Sequence, residues 1–187
     1  DDFEENSLGR WSGNKSLYSI SGGELICPES KAIALPVKML YDGLTVSWKS
    51  TLTVGGAHRQ WFGISDTLPT TTSIDPTFVT NGLIFASNST TNISLTEKLA
   101  GVATPKPDLT GYSLTSGVEA TWTVSVSGNV LTVDIDGNSD TYEFNSSLVN
   151  GYFYILGTSA SNTLTYNELQ ISGTRVYNKP IHRGAML

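Results

Sequence analysis

The chain has 187 residues, which is enough for one domain with a sizeable core. Charged residues make up 15% of it and the formal net charge is −6, so there is no basic stripe to neutralise phosphates, and nucleic acid is excluded as a partner. The single cysteine, Cys27, excludes an intramolecular disulfide and a cysteine-built metal cluster, and no apolar run is long enough to span a bilayer.

Ser, Thr, Asn and Gly take the place of the missing charges, a composition suited to short strands joined by polar turns. The same composition is common in secreted and particle-surface proteins. The chain begins at Asp1 rather than Met and is expected to be a mature or excised domain.

Taken from the N-terminus, strands are expected over 18–20 and 24–27, separated by a turn at Gly22-Gly23, and over 32–35. Residues 44–54 alternate strictly. Leu44, Val46, Trp48, Leu52 and Val54 form one face, and Thr45, Ser47, Lys49, Thr51 and Thr53 the other, as in an antiparallel strand with one wetted side. Further strands are expected over 60–65 and 82–86. The connections 66–81 and 87–117 are rich in Thr, Ser, Asn and Pro, and such long connections lie on surfaces and carry contact residues. Within the second, 94–99 is expected as a turn of helix or a loop. A three-strand meander follows over 120–126, 130–135 and 141–144, with turns at Ser127-Gly128-Asn129 and Asp136-Gly137-Asn138. The last strands are 151–157 and 163–172. The domain is drawn at 1–177, and the stretch 178–187, which has lost the alternation, is a linker or an ordered arm. Many strands without helices mean an all-β, two-sheet antiparallel sandwich or jelly roll. Trp11, Trp48 and Trp122 are assigned to its core.

Four stretches carry a family resemblance. They are the opening Asp2-Phe3-Glu4, Trp11 and Gly22-Gly23-Glu24-Leu25, the paired strands 122–137 ending in Asp136-Gly137, the stretch 151–157, and the closing stretch 164–171. Their order resembles the concanavalin A-like jelly-roll superfamily of laminin G domains, legume lectins and glucanases. The resemblance implies a sandwich whose last strand returns beside the first. It does not name a ligand, because the fold hosts lectins, hydrolases, adhesion modules and viral receptor-binding domains.

Glucan hydrolases that resemble this chain carry Glu-x-Asp-x-x-Glu on one strand, supplying the two carboxylates the reaction needs. The run does not occur here, and Glu97, Glu119, Glu143 and Glu168 have no second carboxylate at a diagnostic spacing. A pair assembled by the fold stays open. His58 and His182 have no partner at metal-ligand or triad spacing, and no Gly-x-Ser-x-Gly elbow exists. The chain is read as not an enzyme. Several members of the resembling family bind calcium, and Asp134, Asp136, Asn138 and Asp140 cluster around one turn as oxygen ligands for it. The alternative is that Asp136 merely initiates the turn and Asp134 is solvated. The sequons at Asn14, Asn88, Asn92 and Asn145 matter only in a eukaryotic secretory pathway.

Sugar binding asks for an aromatic ring to stack on the C–H face of a pyranose and for polar groups to meet its hydroxyls. If Phe62 and Ile64 point inward, period two sends Arg59 and Trp61 to the opposite face. In the same way, Phe153 and Ile155 inward would present Tyr152 and Tyr154. Arg59, Trp61, Tyr152 and Tyr154 would then share one sheet face. The competing arrangement buries Trp61, or folds a long loop across that face. Three functions are weighed. The first is an extracellular carbohydrate-binding or receptor-binding module of a secreted or particle-surface protein, such as a phage tail. The second is an assembly domain packed on a neighbouring subunit, and the third is a glycoside hydrolase.

Overall fold

The computed structural model describes residues 11–13, 16, 18–27, 32–53, 60–70, 76–87, 93–156 and 163–176, and of Gln60, Trp61, Pro76 and Thr163 the backbone only. Alternation decides the strands. They are β1 (Ser12–Gly13), β2 (Ser19–Ser21), β3 (Glu24–Cys27), β4 (Ala32–Ala34), β5 (Met39–Leu40), β6 (Thr45–Thr53), β7 (Gln60–Ser65) and β8 (Gly82–Ser87). After these come β9 (Ile93–Leu99), β10 (Val102–Pro105), β11 (Glu119–Ser127), β12 (Val130–Ile135), β13 (Asn138–Glu143), β14 (Asn150–Leu156) and β15 (Thr163–Ser172). The described residues include a short 3-10 turn, Pro76–Phe78, and no α-helix. In β6, Val46, Trp48, Ser50 and Leu52 are buried while Thr45, Ser47, Lys49 and Thr51 are half-exposed.

Two antiparallel sheets result. The front sheet runs β1-β4-β14-β7-β8-β9-β10, with β5 pairing the other half of β14's edge. The back sheet runs β13-β12-β11-β6-β15-β3-β2. The core between them is built on aromatic rings. Trp48 stacks on Trp122 with centroids 5.6 Å apart, Phe62 stands edge-on to Trp48 at 4.9 Å, and Phe62 stacks on Phe85 at 4.7 Å. These offset and edge-to-face geometries suit the ring quadrupoles. Trp11, Trp48 and Trp122 are all core residues, as assigned from the sequence.

The expected meander is β11-β12-β13. Its Asp136-Gly137 turn has φ of 52° and 85°, the two positive values of a type I′ hairpin. Two expectations need correction. Residues 94–99 are neither helix nor loop but most of β9, where Ile93, Leu95 and Leu99 point inward and Glu97 takes an inward place among them. Through the Ala100-Gly101 turn β9 pairs with β10, so 87–117 is not one irregular connection. Strand β10 is exposed along its length at the edge of the front sheet, and it ends in Pro105, which has no N–H to offer a further strand.

Strand β15 lies between β3 and β6, so the closing strand does return beside the first hairpin. Beyond it the chain crosses to the front sheet. Leu40 N donates to Thr174 O at 2.9 Å, and Val176 N donates to Lys38 O at 2.7 Å. The expected tail, 178–187, lies outside the described residues.

Candidate functional site

Strands β7 and β14 are neighbours, which brings the two candidate aromatic stretches together. Phe62, Ile64, Phe153 and Ile155 are all in the core. Their alternates therefore lie on the outer face of the front sheet. In register, Tyr152 faces Ser65, Tyr154 faces Gly63, and Leu156 faces the backbone of Trp61. Arg59 and the Trp61 side chain lie outside the described residues.

The two tyrosines have different fates. Tyr152 is half-exposed, and Lys38 Nζ stands 5.5 Å from its ring centroid, within cation–π range. Lys38 has no carboxylate partner among the described residues. Tyr154, expected beside Tyr152 on an open face, is instead 0% exposed. The reason is the connection between β7 and β8. Leu68, Phe78 and Val79 pack on the sheet over Ala34, Ile84 and Tyr154 as a second, smaller apolar layer. Phe78 meets Tyr154 edge-on at 5.0 Å. A side chain at position 63 would run into the Leu83 carbonyl and lie 2.6 Å from Tyr154 Oη, so only glycine lets the tyrosine ring lie across β7.

Asp66 and Asn81 tie the two ends of this cover together. Asp66 N donates to Asn81 O at 2.9 Å, Asn81 N donates to Asp66 Oδ1 at 2.9 Å, and Asn81 Nδ2 donates to Asp66 Oδ2 at 2.7 Å. Partial burial pushes the Asp66 carboxyl upward, but the N–H groups of Asn81 and Thr80 and the Thr67 hydroxyl outweigh it and hold the group below its ordinary pKa. Burial pushes the Tyr154 and Tyr41 phenols well above theirs, and Asp66 adds to the shift at Tyr41.

The four residues proposed as calcium ligands are not brought together. Asp134 pairs with Ser139, whereas Asp140 pairs with the buried Val133, so the two carboxylates leave opposite faces of the hairpin. Each side chain instead serves the backbone. Asp134 Oδ1 accepts from Gly137 N at 3.1 Å, Asp136 Oδ1 from Thr121 N at 2.8 Å, and Asp140 Oδ1 from Thr141 N at 2.8 Å. Asn138 Nδ2 donates to Ile135 O at 3.5 Å. No group of three or more His, Cys, Asp or Glu among the described residues is arranged to hold a metal ion.

The sequence reading missed two polar features. One is Lys38, for which the sequence carries no signal. The other is Glu97, buried at the rim between the sheets, which accepts from Tyr142 Oη at 2.9 Å and Asn145 N at 3.1 Å and lies 3.8 Å from Lys106 Nζ. Its inward place in β9 was visible as period two. These contacts fasten β9 to β13 and to the connection beyond it. His58, His182, Asn14, Asn88 and Asn92 lie outside the described residues. No helix of the described residues is long and apolar enough to cross a membrane.

No protein-family model matches the chain, and no curated protein does. Among solved structures it is similar to the carbohydrate-binding module CBM66 from Bacillus subtilis, with TM-score 0.64 and 10% identity over 88% of this chain and 96% of that one. It is also similar to the carbohydrate recognition domain of Emp46p in its metal-free form, with TM-score 0.63 and 12% identity over 93% and 92%. A Parabacteroides distasonis protein provisionally named a glycosyl hydrolase matches with TM-score 0.60 and 11% identity over 92% and 97%. At such identities the likeness is one of fold. The chain is a two-sheet antiparallel jelly-roll sandwich.

Proposed function

We propose that the chain is a non-catalytic carbohydrate-binding module working outside the cytoplasm, with its ligand approaching the outer face of the front sheet. The observation that carries this reading is Tyr152, a half-exposed ring on that face with the ammonium of Lys38 beside it, which has no carboxylate partner among the described residues. A ring face and a mobile donor are what a pyranose needs, one for its C–H face and the other for a hydroxyl. Arg59 and Trp61 are the further members of the platform in this reading, by the period-two argument from Phe62 and Ile64. The names of two similar structures, a carbohydrate-binding module and a carbohydrate recognition domain, support the ligand class. The parent would be a secreted, cell-surface or particle-surface protein, and the partner a glycan or glycosylated receptor.

Titration of tryptophan fluorescence with β-galactosides, glucans, mannans and fructans tests the reading. Three of the four tryptophans are in the core, so a saturable change is expected to come from Trp61 and to vanish in Trp61→Phe. Tyr152→Ala is expected to weaken binding on the order of tenfold, the loss of one stacked ring. A flat response across the panel would overturn the reading and favour a face that packs on a neighbouring subunit.

A further inference from the structure

Charge is divided unevenly between the two sheets. The strands of the back sheet carry six carboxylates, Glu24, Glu119, Asp134, Asp140, Glu143 and Glu168. Against them stands one cation, Lys49, which pairs with Glu168 at 2.8 Å. The strands of the front sheet carry one carboxylate, Glu97, and it points inward and is buried. The cations of this sheet face the other way. Lys98 is at an outward position of β9, and Lys38 lies one residue before β5, beside Tyr152. Arg175, on the chain that crosses over from β15, pairs with Met39 and is exposed. None of these three cations has a carboxylate at ion-pair distance among the described residues. A chain of net charge −6 thus turns cations outward on its front sheet.

Stacked sheets lie about 10 Å apart, and the Debye length at physiological ionic strength is about 8 Å. The back-sheet carboxylates are therefore largely screened from a ligand on the outer face of the front sheet, and Lys38 is not. Two carboxylates follow front-sheet strands, and both are engaged. Asp42, after β5, accepts from Gly128 N at 2.7 Å, and Asp66, after β7, is held by Asn81 and Thr67.

The Lys38 ammonium, among the described residues, meets the Tyr152 ring and no acid. Cation–π attraction at an exposed site is weak, and the four-carbon stem of lysine is flexible, so the ammonium turns to a ligand at small cost. The hydroxyls of a neutral sugar would be met as well by an uncharged amide. An anionic oxygen gains more, because a hydrogen bond between two charged groups is shorter and about twice as strong.

We infer that the glycan bound at Tyr152 is anionic, a pyranose chain whose carboxylate or sulfate ester accepts from Lys38 Nζ while a sugar ring lies on Tyr152. This rests on the carbohydrate-binding reading and names the ligand class within it. Tyr152 holds a pyranose by its C–H face, whatever its substituents. Lys38 selects the chains that carry an anion beside that ring. A point charge with three rotatable donors suits either anion, since it does not demand the planar match of an arginine fork. Arg175 and Lys98 add to the field that draws such a chain to this face.

Isothermal titration calorimetry of the intact chain tests this with two pairs of probes. They are tetragalacturonate and its methyl ester, and a sulfated galactan tetrasaccharide and its desulfated form. The anionic member of a pair is expected to bind about tenfold more tightly than the neutral one at about 0.01 M salt, and its advantage to shrink severalfold at about 0.15 M. The pair with the larger advantage tells carboxylate from sulfate. Lys38→Gln keeps an N–H donor without the charge and is expected to lose most of the advantage. Lys38→Arg should keep it, and Lys38→Glu should prefer the neutral probe. Wild-type affinity of these variants for the neutral probe shows that they are folded. Tyr152→Ala is expected to weaken both members of a pair alike.

An advantage that survives unchanged in Lys38→Gln overturns the inference. If the neutral probes bind, Tyr152→Ala weakens them and no anionic advantage appears, the carbohydrate reading stands and the anionic class alone falls. If no glycan binds, charged or neutral, both fall.

Discussion

The outward positions of the back sheet and of the front sheet obey the same alternation and carry opposite chemistry. On β6 and β11 they are Thr45, Ser47, Thr51, Thr121, Thr123 and Ser125, all half-exposed or exposed. On β4, β14 and β8 they include Ala32, Ala34, Tyr154, Leu156, Ile84 and Ala86, all buried, with Tyr152 half-exposed toward one end of β14. The back sheet has one apolar layer and a hydroxylated face toward water. The front sheet has two apolar layers, the core beneath it and the Ala34, Val79, Ile84 and Tyr154 cluster above it. A sheet buried on both faces has lost the freedom to alternate, and its strands read as continuous apolar runs. The cover is therefore part of how the front sheet is stabilised, and changes at outward positions should be tolerated on one sheet and felt on the other.

The largest contrast is expected at a glycine. Gly63→Val drives its side chain into the Leu83 carbonyl and the Tyr154 ring, and should destabilise by about 3 kcal/mol or more, because overpacking against backbone leaves nothing soft to move. Thr123→Val, outward on β11 and paired with Ser47 and Asp134, should change stability by less than about 0.5 kcal/mol. Urea denaturation of the pair checks both. Equal effects would mean that the two faces are not different in kind.

Next in size is the cover itself. Val79 is 1% exposed, and Val79→Ala removes two methyl groups from the second layer, at an expected loss of about 2 kcal/mol. Thr51→Ala on the back sheet should stay within about 0.5 kcal/mol. A loss at Val79 as small as that at Thr51 would show that the cover contributes little and that the front sheet is held by its core alone.

The pH dependence separates the layers in another way. Asp66 is held below its ordinary pKa in the folded chain, so its contribution is complete above the unfolded value of about 3.9 and is lost as pH falls through the folded one. Tyr154 is shifted upward, so its contribution is complete below the unfolded value of about 10 and is lost as pH rises above it. Melting temperatures should therefore fall in acid below about pH 4 and in alkali above about pH 10. Asp66→Asn should flatten the acid limb, and Tyr154→Phe should reduce the slope of the alkaline limb. A Tyr154→Phe profile that overlays the wild type above pH 10 would show that Tyr154 has no part in the alkaline loss.

How much of this was legible follows from the same contrast. Strands with one wetted face, such as β6, β11 and β12, announce themselves by period two, and Asp136-Gly137 announces its turn. Leu83, Ile84, Phe85 and Ala86 read as a strand, but their unbroken apolar run was also the sign of burial on both faces, and thus of a cover over Tyr154. Strand β9 was missed because Glu97 sits in an inward place, and its partners Tyr142 and Asn145 are far away in sequence. The grouping of Asp134 with Asp140 failed for a geometric reason. Nearness along a hairpin says nothing of which face a side chain leaves, and only the register Asp134 to Ser139 and Val133 to Asp140 decides it. Lys38 reaches Tyr152 from β5's neighbourhood, a pairing that no local pattern encodes.

The smallest effect tests the one irregularity on the open face. In β15, Tyr166 and Leu169 are both buried although three residues apart, which a regular strand forbids. A register shift between Asn167 and Gln170 resolves it by turning Asn167 and Glu168 outward together, with Glu168 at φ 51°. That backbone region disfavours a residue with a Cβ by roughly 1–2 kcal/mol. Glu168 also pairs with Lys49 at 2.8 Å on the exposed surface, so one substitution would mix two effects. Glu168→Ala and Glu168→Gly both remove the ion pair, and only the second removes the Cβ. Glycine is therefore expected to be the more stable of the two variants by about 1 kcal/mol, after allowing for the entropy it adds to the unfolded chain. The difference between their urea midpoints measures what the bulge costs. If alanine proves equal to glycine or better, the left-handed backbone at Glu168 carries no strain. The inward turn of Leu169 would then need no compensation from the open face.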